Sequence, residues 1–308
     1  MLAEAQRSAL QSVLTELDTL EARLPAVPSS PPVGNAAAVT AARRLNRAAG
    51  SLAISVLLDS AVEHWRGGFR NPAMYTPLAV SALTLIGSAH GMSDRRGSKH
   101  RARDGAYAVA ALTGVAGTGF HLYNVLKRPG RLVWQNLFYG APLGAPMAIF
   151  LAGALGVAAE RVRDHAPGTA PRLFGLPAGR ALAALSGVGI LGTVGEAGML
   201  HFRGAFQNPA MFLPVTVPPV ASALLAGAAL GPARRDRRLT RWWLRLTAFL
   251  GVAGVGFHAW GVQRMMGGWR NWSQNLLSGP PLPAPPSFTG LALAGLAALG
   301  LLRDHPDA

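Results

Sequence analysis

Hydrophobic and polar positions follow one another in long blocks along this chain. Apolar runs such as YAVAALTGVAGTGF from Tyr107 and PMAIFLAGALGVAA from Pro146 approach the ~20 residues that a helix needs to cross a bilayer. The pattern predicts an all-α integral membrane protein with about eight transmembrane helices. We expect these spans near residues 47–66, 72–91, 105–125, 140–160, 181–202, 209–230, 243–262 and 284–303.

Residues 1–46 differ from the rest because their apolar positions are sparse. Apolar side chains recur there at helical spacing, which predicts a short amphipathic helix; they are Leu10, Val13, Leu14, Leu17, Leu20 and Leu24. A proline-rich linker, PAVPSSPPVGNAAA, then leads to the first span. This cytoplasmic segment either lies on the membrane or a partner, or is a solvated tail.

Composition and charge support a membrane location. Of the 308 residues, 50% are hydrophobic and only 14% are charged, whereas a soluble chain has about 25% charged residues. The net charge is +15, and the basic residues gather before the first span and after every second one. The bias predicts an inner-membrane protein with both termini in the cytoplasm.

Topology and anionic lipid account for the positive charge, so no nucleic-acid partner is expected. With no cysteine, disulfides and iron–sulfur ligation are excluded.

The chain repeats itself at a fixed interval. The phrase HWRGGFRNPAMYTP begins at His64 and returns 137 residues later as HFRGAFQNPAMFLP from His201, with nine of fourteen positions identical. GVAGTGFH ends at His121 and GVAGVGFH ends at His258, at the same interval. These repeats predict two tandem four-helix units, residues 47–165 and 181–303. Because four is an even number, both units should share one orientation.

The repeated histidines are the leading candidates for a cofactor site. They end the first, third, fifth and seventh spans, so all four should lie near the outer, periplasmic face. In a four-helix bundle the first and third helices are diagonal, and paired histidines there can ligate haem iron from both sides. We therefore expect haem b between His64 and His121 and between His201 and His258. Interhelical hydrogen bonding by these histidines is the alternative.

Other features that the two copies share extend the haem hypothesis. Arg66 and Arg203 follow their histidines by two positions and are candidates to pair with haem propionates. Glycines at 114, 117 and 119 recur at 251, 254 and 256. They either leave a flat approach for a porphyrin or allow close helix packing. The NPAM tetrapeptide predicts an asparagine N-cap at Asn71 and Asn208, and its methionine is either a soft metal ligand or an ordinary helix residue.

Asp59 and Glu196 each lie five residues before a histidine and are the candidate catalytic, proton-handling groups. The same carboxylates and histidines predict an alternative, a membrane enzyme with non-haem iron or copper. Positions five apart differ by about 140° around a regular helix, which disfavours that site.

The leading hypothesis is a membrane redox protein that passes electrons between an outer-side partner and quinone. A small-molecule transporter is a third hypothesis. It is disfavoured because the polar residues gather at one face rather than at the midplane.

Overall fold

A computed structural model describes residues 33–166, 169–232 and 236–305. The amphipathic helix expected between residues 10 and 24 lies outside this part of the chain. The described residues form ten α-helices: α1 Val33–Arg66, α2 Thr76–Ser93, α3 Arg101–Leu126, α4 Trp134–Tyr139, α5 Gly144–Arg163, α6 Ala178–Arg203, α7 Leu213–Leu230, α8 Arg238–Gln263, α9 Trp272–Ser278 and α10 Pro286–Asp304. Three 3₁₀ turns (Pro72–Tyr75, Pro209–Phe212, Gly268–Asn271) and a two-stranded antiparallel hairpin (β1 Arg172–Leu173, β2 Leu176–Pro177) complete it.

The fold is all-α apart from this hairpin, and each of the eight apolar runs lies in a long helix. Five segments are long and apolar enough to cross a membrane: α3, α5, α6, the stretch Pro209–Leu230 that contains α7, and α10. The other three long helices, α1, α2 and α8, are not among these candidates. Helix α1 carries Asp59 and Glu63, and α8 begins with a run that contains Arg238, Arg241 and Arg245.

Helix α1 is longer than the sequence pattern predicts. It begins at Val33, so the expected boundary between linker and first span, at residues 46 and 47, falls inside one continuous helix. Alanine is the best helix former, and this stretch is rich in it. Ala38, Ala42, Leu45 and Ala49 are buried, at spacings of three and four residues. Because this stripe is buried against other helices, α1 begins well before the apolar run that starts near residue 47.

The helices pack as two rings. Helix α1 packs against α2 and α5, and α3 also packs against α2 and α5, so α1 and α3 are diagonal. In the same way α6 and α8 each pack against α7 and α10. Helix α10 also packs against α1, which joins the first half (residues 33–166) to the second (169–305).

The apolar core occupies one end of the bundle. We call it the core end; Leu45, Leu155, Leu182, Leu244 and Leu301 are fully or almost fully buried there. Towards the opposite ends of α1, α3, α6 and α8, most side chains are half-buried or exposed. This second end, which carries His64, His121, His201 and His258, is called the site end.

Large apolar side chains also cover the outside of the bundle. Leu112 is 70% exposed, Phe249 66% and Leu230 85%. Soluble proteins rarely expose apolar patches of this kind. The exposed apolar surface and the long apolar helices indicate a lipid bilayer environment.

Candidate cofactor site

Each of the four repeated histidines contacts a backbone carbonyl through its Nδ1 atom. His64 lies 2.6 Å from the oxygen of Met74, and His201 lies 2.7 Å from that of Met211. His258 contacts the oxygen of Pro281 at 2.6 Å, and His121 contacts that of Pro142. Met74 and Met211 lie in the 3₁₀ turns before α2 and α7, and Pro142 and Pro281 lie in the loops before α5 and α10. The same contact is therefore made four times, twice in each half.

A carbonyl oxygen only accepts hydrogen bonds, so each Nδ1 must be the donor. In a neutral imidazole the lone pair then lies on Nε2. Metal-binding histidines have this arrangement, because a hydrogen bond from one ring nitrogen fixes the orientation of the other. All four rings are half-buried. They are therefore held in the tautomer that can bind a metal through Nε2.

The histidines come together in pairs. The ring centroids of His201 and His258 lie 6.5 Å apart, and their planes make an angle of 68°. His121 lies close enough to His64 for the two rings to repel each other when both are protonated. Each pair joins two diagonal helices of one ring. These are the pairs expected from the sequence.

The turn after His64 explains part of the repeated phrase. The N–H of Phe69 donates to the carbonyl of His64 at 3.0 Å, and that of Gly68 donates to the carbonyl of Trp65 at 2.8 Å. This pattern is the Schellman motif, which ends a helix with a left-handed residue. Gly68 has φ +69°, and in the second copy Ala205 takes its place with φ +55°. The phrase therefore stops the helix two residues beyond the histidine, at Arg66 and at Arg203.

The rest of the phrase packs against that turn. The Phe69 ring lies edge-on to His64 at 6.1 Å and stacks on Tyr75 at 4.6 Å. Asn71 caps the following 3₁₀ turn by accepting from the N–H of Ala73 at 2.9 Å. The second copy has the same stack and the same cap. The predicted asparagine caps are thus present, and they brace the segment whose carbonyl holds the histidine.

The methionines of the phrase serve packing in this structure. The methyl groups of Met74 and Met211 lie against Gly67 and Gly204, in the turns that follow α1 and α6.

The repeated glycines on α3 and α8 have two kinds of environment. A side chain at Gly114 or Gly251 would overlap the neighbouring helix, whereas a Cβ added at Gly119 or Gly256 would meet no other atom within 4 Å. Gly114 and Gly251 therefore serve close helix packing, and only the last glycine of each row is open.

The two candidate carboxylates approach each other where the halves meet. Asp59 on α1 lies close enough to Glu196 on α6 for their charges to interact. The Glu196 carboxylate accepts a hydrogen bond from the backbone N–H of Gly144, at the N-terminus of α5. A helix N-terminus carries a partial positive charge that favours such an anion. Glu196 therefore connects a helix of the second half to a helix of the first.

The two candidate arginines have different partners. Arg66 forms an ion pair with Glu63, at 2.6 Å. Arg203 instead donates to the carbonyl of Phe138 at 3.0 Å and lies over the Tyr139 ring, 4.8 Å from its centroid. Leu200 stands where Glu63 would be in the second copy. The positive charge near the second histidine pair is consequently not balanced by an adjacent carboxylate.

Two short helices that the sequence did not predict join the halves at the site end. Trp272 at the start of α9 lies 6.2 Å from Trp65. Phe138 of α4 stacks on Phe202 at 5.7 Å. Asn136 and Asn275 donate to loop carbonyls beside these helices, at 2.8–3.1 Å. These contacts join the two halves at the end of the bundle that carries the four histidines.

A buried charged network at the core end is absent from the sequence predictions. Arg103 binds Glu160 through two hydrogen bonds of 2.7 and 2.8 Å, and Asp94 at 3.1 Å. Arg163 donates to the carbonyls of Asp94 and Arg96 at 2.9 and 2.8 Å. Burial alone would raise the pKa of Asp94, but hydrogen bonds from Arg96 and Arg103 hold it below its ordinary value. The network ties the α2–α3 connection to the end of α5.

Among the described residues of the second half, the matching positions carry no such network. There, 137 or 139 residues later, the chain has small or apolar residues in place of Asn46, Ser88, Tyr107, Glu160 and Arg163: Ala183, Leu225, Leu244, Leu299 and Leu302. All five are buried. A comparison of the two copies could have found this difference from the sequence, since the position of an acidic residue in one copy is occupied by leucine in the other.

Among the described residues, no group of three or more His, Asp or Glu side chains has a geometry that could hold a metal ion. Comparisons of this chain with protein-family models, with curated proteins and with solved structures give no match. The site itself therefore carries the functional inference.

Proposed function

We propose that this chain is an integral membrane redox protein with haem b bound between His64 and His121 and between His201 and His258. In this proposal eight helices cross the bilayer as two tandem four-helix units of the same orientation. Both termini lie in the cytoplasm and the site end faces the outer side. The 137-residue repeat, the two helix rings and the duplicated histidine contacts support the tandem arrangement.

The orientation of the imidazoles is the observation that carries the proposal. Four Nδ1 atoms face carbonyl oxygens, which leaves four Nε2 lone pairs without a hydrogen bond among the described residues. With a metal–nitrogen bond of about 2.0 Å on each side, two imidazole centroids lie about 6 Å apart. The 6.5 Å separation of His201 and His258 agrees with an ion held between them.

The ligand number favours haem over a non-haem metal. Haem iron takes four ligands from the porphyrin and needs only two from the protein. The non-haem iron and copper centres of enzymes are characteristically built from three protein ligands, such as two histidines and a carboxylate, and no such cluster is found in the described part of the chain.

The other residues of the site then have separate tasks. Asp59 and Glu196 lie close enough for their charges to interact, and they would hold and release a proton that accompanies electron transfer to quinone. Arg203 is the stronger candidate for binding a propionate, because Arg66 is already paired with Glu63. Bound haem supplies a one-electron carrier, and an outer-side protein would be its redox partner.

A visible absorption spectrum of the purified protein tests the proposal. We expect a Soret band, and an α-band after reduction. His121→Ala should lose the absorbance of the first site, whereas His100→Ala, at the core end, should keep the wild-type spectrum. Bound iron or copper without a Soret band would favour the non-haem enzyme. Protein with neither haem nor metal would favour the transporter.

A further inference from the structure

Two histidines outside the proposed haem sites meet at the core end. His165 follows the end of α5 by two residues, and His305 directly follows α10. One therefore comes from each half of the chain. Their ring centroids lie 6.3 Å apart and their planes make an angle of 79°. This separation is close to that of His201 and His258.

Hydrogen bonding leaves a lone pair at this pair as well. The Nδ1 atom of His165 lies 2.8 Å from the carbonyl oxygen of Val162, so it must carry the proton. The lone pair of the neutral ring is then on Nε2. The Nε2 atoms of both His165 and His305 are buried, and neither has a hydrogen-bond partner among the described residues. A buried polar atom without a partner is unfavourable unless something else binds it.

The surroundings favour a cation as that partner. Both rings lie at helix C-termini, where the partial charge is negative. Asp164 and Asp304 directly precede the two histidines, and the charge of Asp304 interacts with the His305 ring.

A second histidine pair at the core end gives a useful contrast. His90 and His100 have ring centroids 5.0 Å apart. The Nδ1 atom of His100 accepts the backbone N–H of Arg103 at 3.4 Å, so its lone pair is already used and Nε2 carries the proton. His100 is therefore not set up as a ligand in the way that His165 is.

We infer that His165 and His305 form a binding site for a divalent d-block cation such as Zn²⁺ or Cu²⁺. The two Nε2 atoms are the protein ligands, and water completes the coordination. Imidazole nitrogen suits these ions. The bound ion joins the residues that follow α5 and α10, and so links the two halves at the end opposite the proposed haem sites. The inference does not depend on haem binding.

Zinc binding by the full-length protein without a polyhistidine tag tests this site. The protein is stripped with chelator, incubated with ZnCl₂ and desalted, and bound zinc is measured per chain. We expect the wild type and His100→Gln to keep one more equivalent than His165→Gln or His305→Gln, whose affinity should fall more than about tenfold.

Circular dichroism checks that each variant folds. If His165→Gln unfolds, His305→Gln carries the same test, since it changes only the residue that follows α10. Equal zinc content in all variants, or no zinc in the wild type, would overturn the inference. The haem absorbance is measured in the same samples, so failure of the zinc site and failure of the haem proposal can be told apart.

Discussion

The buried ion pair between Arg103 and Glu160 should dominate the stability of the first half at the core end. Both side chains are at most 1% exposed. Replacing Glu160 by Gln removes the charge but nearly keeps the volume, and it leaves a buried guanidinium short of a partner. Breaking a buried pair in this way costs about 3–5 kcal/mol. Because Asp94 remains 3.1 Å from Arg103, we expect the lower value, about 3 kcal/mol.

The second half supplies the matched replacement. Thr240 and Leu299 occupy the positions that correspond to Arg103 and Glu160. The double variant Arg103→Thr/Glu160→Leu should therefore cost less than the sum of its two single changes, because the two charges of the pair are removed together. Asp94 keeps its ion pair with Arg96, and Arg163 keeps its hydrogen bonds to the carbonyls of Asp94 and Arg96. For residues in direct contact, the difference should be about 1–3 kcal/mol.

Unfolding in detergent micelles, followed by circular dichroism as a denaturing detergent is added, measures these free energies. A Glu160→Gln variant within about 0.5 kcal/mol of the wild type, as for an ordinary surface change, would refute the reasoning. So would strict additivity of the two single changes.

Three further predictions concern the site end and the pH dependence of stability. Ala205→Gly should raise the unfolding free energy by about 0.5–1 kcal/mol, and Gly68→Ala should lower it by about 1 kcal/mol, because a left-handed residue favours glycine; equal unfolding midpoints would contradict this. Gly144→Ala should destabilise by about 1 kcal/mol, since its Cβ overlaps the Glu196 carboxylate at a helix N-terminus, whereas Gly119→Ala, in open space, should not. Asp94, whose folded pKa is below its ordinary value of 3.8, adds stability that is complete above that pH and is lost as the pH falls through the folded pKa; Asp94→Asn should remove this part of the acid dependence, and an unchanged pH profile would contradict it.

Much of the fold follows from the sequence because its signals are local. Long apolar runs predict the helices, and the spacing between His64 and His201 predicts that the two halves resemble each other. The asparagine caps follow from their position before proline. The pairing of each histidine with its diagonal partner follows from the order of the helices.

The remaining features depend on contacts between distant segments. Helix α1 begins at Val33 because its alanine face is buried by other helices. No long apolar run in the sequence predicts this early start. The carbonyls of Pro142 and Pro281 become histidine partners only when their loops fold over the bundle. His165 and His305 are 140 residues apart, in polar segments that give no sign of a shared site.

The haem content and spin state of the purified chain test the central proposal most directly. Two imidazole ligands per iron predict two low-spin haem b groups per polypeptide, measured by haem extraction and by electron paramagnetic resonance of the oxidised protein. His121→Ala and His258→Ala should each remove one low-spin signal. A chain purified without haem, or one whose haem keeps its signals in both variants, would contradict the assignment of these histidines as axial ligands.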